Sequence, residues 1–278
     1  MVKEEMRGTG LKRKSLDKFY TSERTVNECI KIMEGILDIN NGDICIEPSA
    51  GNGAFIKGIK SLFDNYVFYD IEPGNDEIIT MDYLDFDYTT ITHTYAKMHV
   101  VGNPPFGRQS SLAIKFIKKS TLFCDSISFI LPKSFKKESF KKHFPLSFHL
   151  EHEFDLPVDS FLVEDRPHNV PCVFQVWVKK DFQRTSFDKI VPFKYKFVKK
   201  ENEHDISFRR VGFYAGEIDR NTSNKSQQSH YFIKFEDTLT SKQFDEIATI
   251  NHKCKNDTVG AKSISKQELI RELNKIIK

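Results

Sequence analysis

The segment Val100-Val101-Gly102-Asn103-Pro104-Pro105-Phe106-Gly107 runs an apolar stretch straight into a turn locked by two prolines. Each proline fixes φ and removes a backbone donor. Asn103, followed by a proline, is biased to an extended conformation. A stiff corner at the carboxyl end of a strand lies where open α/β sheets bind ligands. It also suits one demanding reaction. An exocyclic amine on a purine or pyrimidine has its lone pair delocalised into the ring. That nitrogen must become more tetrahedral before it attacks an electrophilic carbon. Acceptors set around its N–H bonds favour that geometry, and the Asn103 side-chain oxygen and the Pro104 carbonyl are of the right type. Phe106 can stack on a base held out of the nucleic-acid stack. No metal and no charged general base is required. The bland alternative is a stiff loop.

A second signal lies upstream, in Asp43-Ile44-Cys45-Ile46-Glu47-Pro48-Ser49-Ala50-Gly51-Asn52-Gly53. An acid ends a short apolar strand, and Gly51 and Gly53 turn the chain toward a helix. Glycines there permit positive φ and close approach of a ligand to the backbone. A triphosphate loop would need Gly-Lys-Ser/Thr, whereas Gly53 is followed by Ala54-Phe55. The next strand ends Tyr69-Asp70-Ile71-Glu72, with Asp70 about 20 residues past the glycines, where an acid commonly bonds ribose hydroxyls. Met81-Asp82-Tyr83-Leu84 follows. Between Lys60 and Lys97 there is no Lys or Arg, but there are Asp64, Asp70, Glu72, Asp76, Glu77, Asp82, Asp85 and Asp87. An acidic wall suits a cationic ligand: S-adenosylmethionine, with a sulfonium and an ammonium, fits, and NAD would be repelled. Taken alone, the run is equally a solvated acidic loop.

These segments need a frame. Thr25 to Leu37 puts Val26, Cys29, Ile30 and Met33 on one helical face. Strands are expected at 43–47, 66–70, 98–103, 126–132, 149–157 and 170–180, with helices at 54–62 and 110–120. Strands separated by helix-length segments predict an α/β fold with a mostly parallel sheet. The last two strands have no clear helix between them, which suits an antiparallel pair at one edge. The stretch 159–170 between them reads as a loop. From Asp181 the chain becomes polar and rich in Lys, Arg, Phe and Tyr, with strand-like runs at 193–198, 211–216 and 231–235 and a loop at 221–229. A closing helix starts at Lys266, with Ser265 as N-cap and Glu268 completing a capping box.

Composition narrows the class. The chain has 278 residues, 39% apolar and 29% charged, with a formal charge of +3. That describes a globular chain of one large domain, or a medium domain and a smaller one. No apolar run reaches the ~18 residues of a membrane-spanning helix, and the first residues lack the apolar stretch of a secretory signal. Cys29, Cys45, Cys124, Cys172 and Cys254 have no CxxC and no metal spacing, and read as reduced thiols in a cytosol-like compartment. His149 and His152 would face opposite sides of a strand, a poor ligand pair, so no metal is expected.

With charge nearly balanced, nucleic-acid affinity would reside in local patches. Residues 1–16 form a basic arm. Lys133, Lys136, Lys137, Lys141 and Lys142 interleave with Phe135, Phe140 and Phe144, the pattern of phosphate neutralisation plus ring stacking. The alternative is an amphipathic helix with its Phe residues inward. Arg108 could contact the backbone beside a target base. Arg209, Arg210 and Arg220 beside Phe208, Phe213 and Tyr214 are further candidate contacts.

In this order the segments resemble the class I S-adenosylmethionine-dependent amino-methyltransferases, specifically the N6-adenine type of restriction systems and viruses. Lys18-Phe19-Tyr20-Thr21 is similar to the segment that precedes the family's cofactor motif. Glu47 to Gly53 is similar to that motif, Asp70 to the ribose-binding acid, and Asp82 with Tyr83 to the adenine-contacting segment. Asn103 to Phe106 is similar to the catalytic motif. The resemblance covers roughly residues 16 to 180. It implies a Rossmann-like seven-stranded sheet, mostly parallel with one antiparallel strand; the later texture adds a small C-terminal α+β extension. It implies S-adenosyl-L-methionine as cofactor, held by Lys18, Phe19, Tyr20, Thr21, Glu47, Ser49, Ala50, Gly51, Gly53, Phe55, Asp70, Ile71, Asp82, Tyr83 and Asn103. It gives the catalytic role to Asn103, Pro104, Pro105 and Phe106, with Asn and Phe favouring adenine. The expected organisation is a basic arm at 1–16, a methyltransferase domain at 17–180 and a recognition or accessory region at 181–278. The expected activity is adenine-N6 methylation of nucleic acid, DNA ahead of RNA. An RNA methylase, a protein glutamine methyltransferase (usually with Tyr in place of Phe106) and a non-catalytic RNA-binding subunit are the alternatives. A monomer without membrane contact, in the cytoplasm or in a host nucleus or viral factory, is expected; an obligate partner stays open.

Overall fold

A computed structural model describes residues 19–163, 166–186 and 189–277. The arm at 1–16 and Lys18 lie outside the described residues. In chain order the strands are β1 (Tyr20–Thr21), β2 (Ile44–Glu47), β3 (Asn65–Asp70), β4 (Ile79–Thr80), β5 (Met98–Gly102), β6 (Ser126–Pro132) and β7 (Phe148–Asp155). They continue with β8 (Phe161–Val163), β9 (Arg166–His168), β10 (Cys172–Lys179), β11 (Tyr195–Val198), β12 (Ile206–Arg209), β13 (Ile218–Asp219) and β14 (His230–Phe235). The α-helices are α1 (Glu23–Ile36), α2 (Ile56–Leu62), α3 (Ser111–Ser120), α4 (Glu138–Lys141), α5 (Ser241–Ala248) and α6 (Lys266–Ile276).

Seven strands form one sheet in the order β4-β3-β2-β5-β6-β10-β7. The pairs β3/β4, β2/β3, β2/β5 and β5/β6 are parallel, and the sheet as a whole is mostly parallel with one antiparallel region. This is the Rossmann-like, mostly parallel seven-stranded sheet expected from the sequence. Its central strands are apolar along their whole length because both faces are covered: all residues of β2 and β6 are buried. Helix α1 buries Val26, Cys29, Ile30 and Met33 and is capped by Ser22, whose Oγ accepts from Thr25 N. The chain progresses away from β2 in both directions, through β3 on one side and β5 on the other. Ile44 pairs with Asn65 and with Met98, so the carboxyl ends of the three strands emerge together. That switch point is where sheets of this kind bind ligands.

The stretch 159–170, expected to be a loop, has two strands among its described residues. It contains the β8–β9 hairpin, and β8 pairs with β1 through Tyr20↔Leu162 and Thr21↔Phe161.

By its contacts the chain forms two compact units. One comprises the described residues up to Ile130, with 157–170 and 175–177; the other comprises 131–156, 171–174 and 178 onward. The second unit holds a four-stranded antiparallel sheet, β11-β14-β12-β13. Tyr195, Ile206, Phe208, Ile233, Leu269 and Leu273 belong to its core. Helix α6 starts with both bonds of the expected capping box: Glu268 N donates to Ser265 Oγ and Ser265 N to Glu268 Oε2. The expected strand at 211–216 is instead a turn, because Gly212 and Gly216 sit at φ 104° and 107° and break the extended run.

Candidate active site

Strand β5 delivers the proline corner. At its end Gly102 has φ 144°, and a Cβ there would come within 3.2 Å of Glu47 Cγ at the end of β2. Only a glycine lets the two strand ends lie so close. Asn103 follows, and its Nδ2 donates to the Phe19 carbonyl at 3.2 Å and to Thr21 Oγ1 at 3.3 Å. A carbonyl only accepts, so the nitrogen side of the amide must face Phe19 and Oδ1 must face away. Oδ1 accepts no hydrogen bond among the described residues. Ser49 Oγ donates to the Asn103 carbonyl at 3.2 Å, holding the backbone as well.

The residues that orient Asn103 are themselves held. β1 is paired to β8, and the Phe19 ring stacks on His168 with centroids 5.3 Å apart and meets Phe161 edge-on. On the far side of the corner, Leu112 N and Ala113 N donate to the Phe106 carbonyl at 3.1 and 3.4 Å. Between them Gly107, Gln109 and Ser110 have φ of 67°, 54° and 62°. Two successive non-glycine residues in the left-handed region are strained, by of order 1–3 kcal/mol each, and such strain concentrates at functional sites.

A cleft opens at the carboxyl ends of β2, β3 and β5. Phe19, Tyr20, Ser49, Gly51, Asp70, Ile71, Asp82, Tyr83 and Asn103 through Phe106, all named as candidates from the sequence, line it. Pro48, Glu72, Leu84, Leu112 and Phe116 also line it and were not anticipated. Leu112 and Phe116 carried a signal, an apolar i, i+4 pair on the helix after the proline corner. Glu47, Ala50, Gly53 and Phe55 do not line the cleft; they build the turn behind it. Ala50 N donates to the Tyr69 carbonyl, Phe55 is buried, and Gly53 has φ 86°. Thr21 acts on Asn103 instead of facing the cleft.

Asp70 joins the two loops at the strand ends. Its Oδ2 accepts from Gly51 N at 2.7 Å and its Oδ1 from Glu72 N at 2.8 Å. Gly51 has φ 57°, and a Cβ on it would lie 3.4 Å from the Tyr20 ring, so the turn leaves a narrow cradle. Asp82 caps the turn of Tyr83–Asp85 by accepting from Leu84 N at 2.9 Å. The Tyr83 hydroxyl is buried against Ser120 Oγ at 2.8 Å, and burial pushes its pKa up. Glu47 is buried with Oε2 unpartnered. Burial, and secondarily the charge of Asp70, raises its carboxyl from 4.5 to about 8.

The lining carries the carboxylates of Asp70, Glu72 and Asp82 and no Lys or Arg. That donor set and the Gly51 cradle fit a cationic nucleoside such as S-adenosylmethionine and disfavour a polyphosphate.

In the basic segment 133–144, four of the lysines expected to meet nucleic acid have carboxylates of this chain beside them. Lys133 and Lys136 both reach Asp155, at 3.0 and 2.7 Å. Lys141 lies 3.5 Å from Glu153. Lys137 is 8% exposed and donates to the Ser263 carbonyl at 2.7 Å, with Glu268 at 3.6 Å. Phe135 and Phe144 are buried. These four lysines of the segment are thus matched by carboxylates of β7 and α6. Among the described residues Lys142 and Arg108 have no ion pair, and both are exposed.

The five cysteines are free. Among the described residues no cluster of His, Cys, Asp or Glu could hold a metal ion, and no helix is long and apolar enough to cross a membrane.

No family model and no curated protein matches the chain. Solved structures of similar fold include the 23S rRNA methyltransferase ErmE, at 13% identity and TM-score 0.43, over 59% of this chain and 71% of that one. A type I restriction-modification methyltransferase subunit from Streptococcus thermophilus matches at 14% and 0.43, over 59% of this chain and 45% of that one. An rRNA methylase from Streptococcus thermophilus matches at 11% and 0.38, over 56% and 96%. This chain thus spans less than half of the restriction-modification subunit. At these identities the likeness is one of fold.

Proposed function

We propose that this chain is an S-adenosylmethionine-dependent methyltransferase acting on the N6 amine of adenine in nucleic acid, DNA ahead of RNA. The observation that carries the proposal is the orientation of Asn103. Its nitrogen is committed to Phe19 and Thr21, which leaves Oδ1 and the following Pro104 carbonyl as acceptors beside an acid-lined cleft.

In this account Asp70 takes the ribose hydroxyls, Ile71, Asp82 and Tyr83 flank the cofactor adenine, and Phe19, Tyr20, Ser49 and Gly51 enclose its methionine end. S-adenosylmethionine, when bound, supplies an electrophilic methyl group on a sulfonium. Asn103 Oδ1 and the Pro104 carbonyl accept the two N–H bonds of the target amine. Accepting both draws the nitrogen toward a tetrahedral shape and returns its lone pair from the ring. Prolines at 104 and 105 hold the acceptors still, so no reorganisation is needed when the amine arrives. Phe106 stacks on the base, and Leu112 and Phe116 keep that side of the cleft dry. The amine gives up one proton to solvent after the carbon–nitrogen bond forms. Residues 17–180 carry this chemistry and 181–278 serve recognition, with Arg108 and Lys142 on phosphates. The preference for DNA and for adenine rests on the family resemblance of Asn103–Phe106 and its neighbours.

The test is methyl transfer from a cofactor with a labelled methyl group to duplex DNA, single-stranded DNA and RNA in parallel. After digestion, mass spectrometry of the nucleosides should find the label on N6 of adenine, most strongly in DNA. Label on cytosine, or on added protein alone, would overturn the proposal.

A further inference from the structure

In the second unit, strand β12 ends at Arg209 and the chain makes a tight turn before β13. The turn is fixed by its own backbone. Gly216 N donates to the Arg209 carbonyl and Arg209 N to the Glu217 carbonyl, both at 2.8 Å. Ala215 N donates to the Gly212 carbonyl at 3.0 Å. The segment 262–264 clamps it from beside, through Gly212 N to the Lys262 carbonyl at 2.9 Å and Ile264 N to the Arg210 carbonyl at 2.8 Å. Gly212 has φ 104°, and a Cβ on it would lie 3.4 Å from the Arg209 guanidinium. The positive φ, which an L side chain rarely adopts, is what requires glycine there.

This rigid frame presents two aromatic rings outward. Phe213 is 77% exposed and Tyr214 54% exposed, and they meet edge to face at 5.0 Å. A cation sits over each: Lys262 Nζ is 5.1 Å from the Phe213 centroid, and the Arg209 guanidinium 5.7 Å from that of Tyr214. Arg210 lies beside them, over Tyr231 at 5.5 Å. Glu217 is the one carboxylate of the turn. Phe208, which the sequence groups with these rings, is fully buried in the core and takes no part.

Large exposed rings gain little from folding, and a loose turn would let them collapse onto the surface. Here the backbone holds them out. We infer that Arg209–Gly216 with Lys262 is a binding surface for unpaired bases of a nucleic-acid strand. Base stacking on Phe213 and Tyr214 and phosphate contact by Arg209, Arg210 and Lys262 use every group the turn exposes except Glu217. An apolar protein partner would bring no negative charge to the three cations, which have carbonyls and ring faces beside them; a strand brings the phosphates that match them. The inference deepens the proposed function and rests on nucleic acid being the substrate.

The experiment uses the full chain without cofactor and a fluorescent single strand of about 20 nucleotides, longer than a typical contact site. DNA and RNA versions and the matching DNA duplex are compared by anisotropy over a range of salt. Phe213→Ala and Tyr214→Ala should each weaken single-strand binding about tenfold, the loss of one stacked base. Phe213→Trp should bind as the unsubstituted chain does. Lys262→Glu should lower the salt slope by about one. Both rings are exposed, so far-UV circular dichroism should not change. Single-strand binding that is undetectable, or that is unaltered in affinity and salt slope by these substitutions, would overturn the inference. Methyl transfer is measured on the same preparations. Ring-dependent binding without transfer would defeat the proposed activity and leave this surface standing; transfer with ring-independent binding would defeat the surface alone.

Discussion

Asn103 donates its side-chain N–H to the backbone carbonyl of Phe19, 84 residues earlier in the chain, at 3.2 Å. That bond decides which end of the amide faces Phe19 and which end is left over. Turning the amide over would set two acceptors, Oδ1 and the Phe19 carbonyl, against each other and, in the proposed reaction, would present donors to an amine that needs acceptors.

Thr21 shares the task, accepting the other Asn103 N–H at 3.3 Å. Thr21→Val keeps the β-branched shape that suits β1 but removes the acceptor. It should lower kcat roughly five- to tenfold, the worth of one neutral hydrogen bond. KM for nucleic acid and the melting temperature should stay as they are, and Thr21→Ser should restore the rate. A rise in KM with kcat intact would assign Thr21 to substrate binding instead.

Gly107 sits at φ 67°, and a Cβ there would lie 2.9 Å from Leu112 Cγ and 3.1 Å from Leu112 N. Gly107→Ala should destabilise the chain by about 1–3 kcal/mol, because φ 67° with ψ 179° is a backbone conformation essentially confined to glycine. It should also reduce activity, because the Phe106 carbonyl is anchored by Leu112 N. Thermal melts and turnover measured together check this. An unchanged melting temperature would show that the loop relaxes freely.

Asp70 accepts from Gly51 N and Glu72 N with both oxygens. Asp70→Ala removes a charged acceptor from the turn and a carboxylate from the cleft. Cofactor affinity by calorimetry should fall at least tenfold, whereas Asp70→Asn, which retains one acceptor, should fall less. Equal affinity in all three proteins would remove Asp70 from the cofactor site.

The Glu47 carboxyl is raised from 4.5 to about 8 by burial and then by the charge of Asp70. The folded chain therefore holds this proton more tightly than the unfolded chain. The associated stability is present in full below about pH 4.5 and is lost as pH rises through about 8. Glu47→Gln should flatten the fall in melting temperature between pH 5 and pH 8. A fall of unchanged slope in the variant would show that another group controls it.

Local signals made much of this architecture legible. Ser265 and Glu268 stand three residues apart and form the box that spacing implies, and β6 occupies the apolar run Ser126–Pro132. Asp70, Asp82 and Asn103, each singled out by its local segment, line one cleft. What links them is not local. No spacing encodes the bond from Asn103 to Phe19, and nothing in 159–170 announces a hairpin that holds β1 in place. Charge density along Lys133 to Lys141 is silent about pairing within the chain, and the partners Asp155 and Glu153 come from β7, later in the sequence. The run 211–216 has the aromatic content of a strand, but two glycines at positive φ make it a turn.

The central claim is that Asn103 presents an acceptor to the target amine. The most direct measurement is the single-turnover rate of methyl transfer by Asn103→Ala, with cofactor binding followed by calorimetry on the same protein. The account predicts a rate lowered by at least a hundredfold, as when a positioned electrostatic group is removed, with cofactor affinity within a few-fold of the unsubstituted chain. Transfer at an undiminished rate would contradict it.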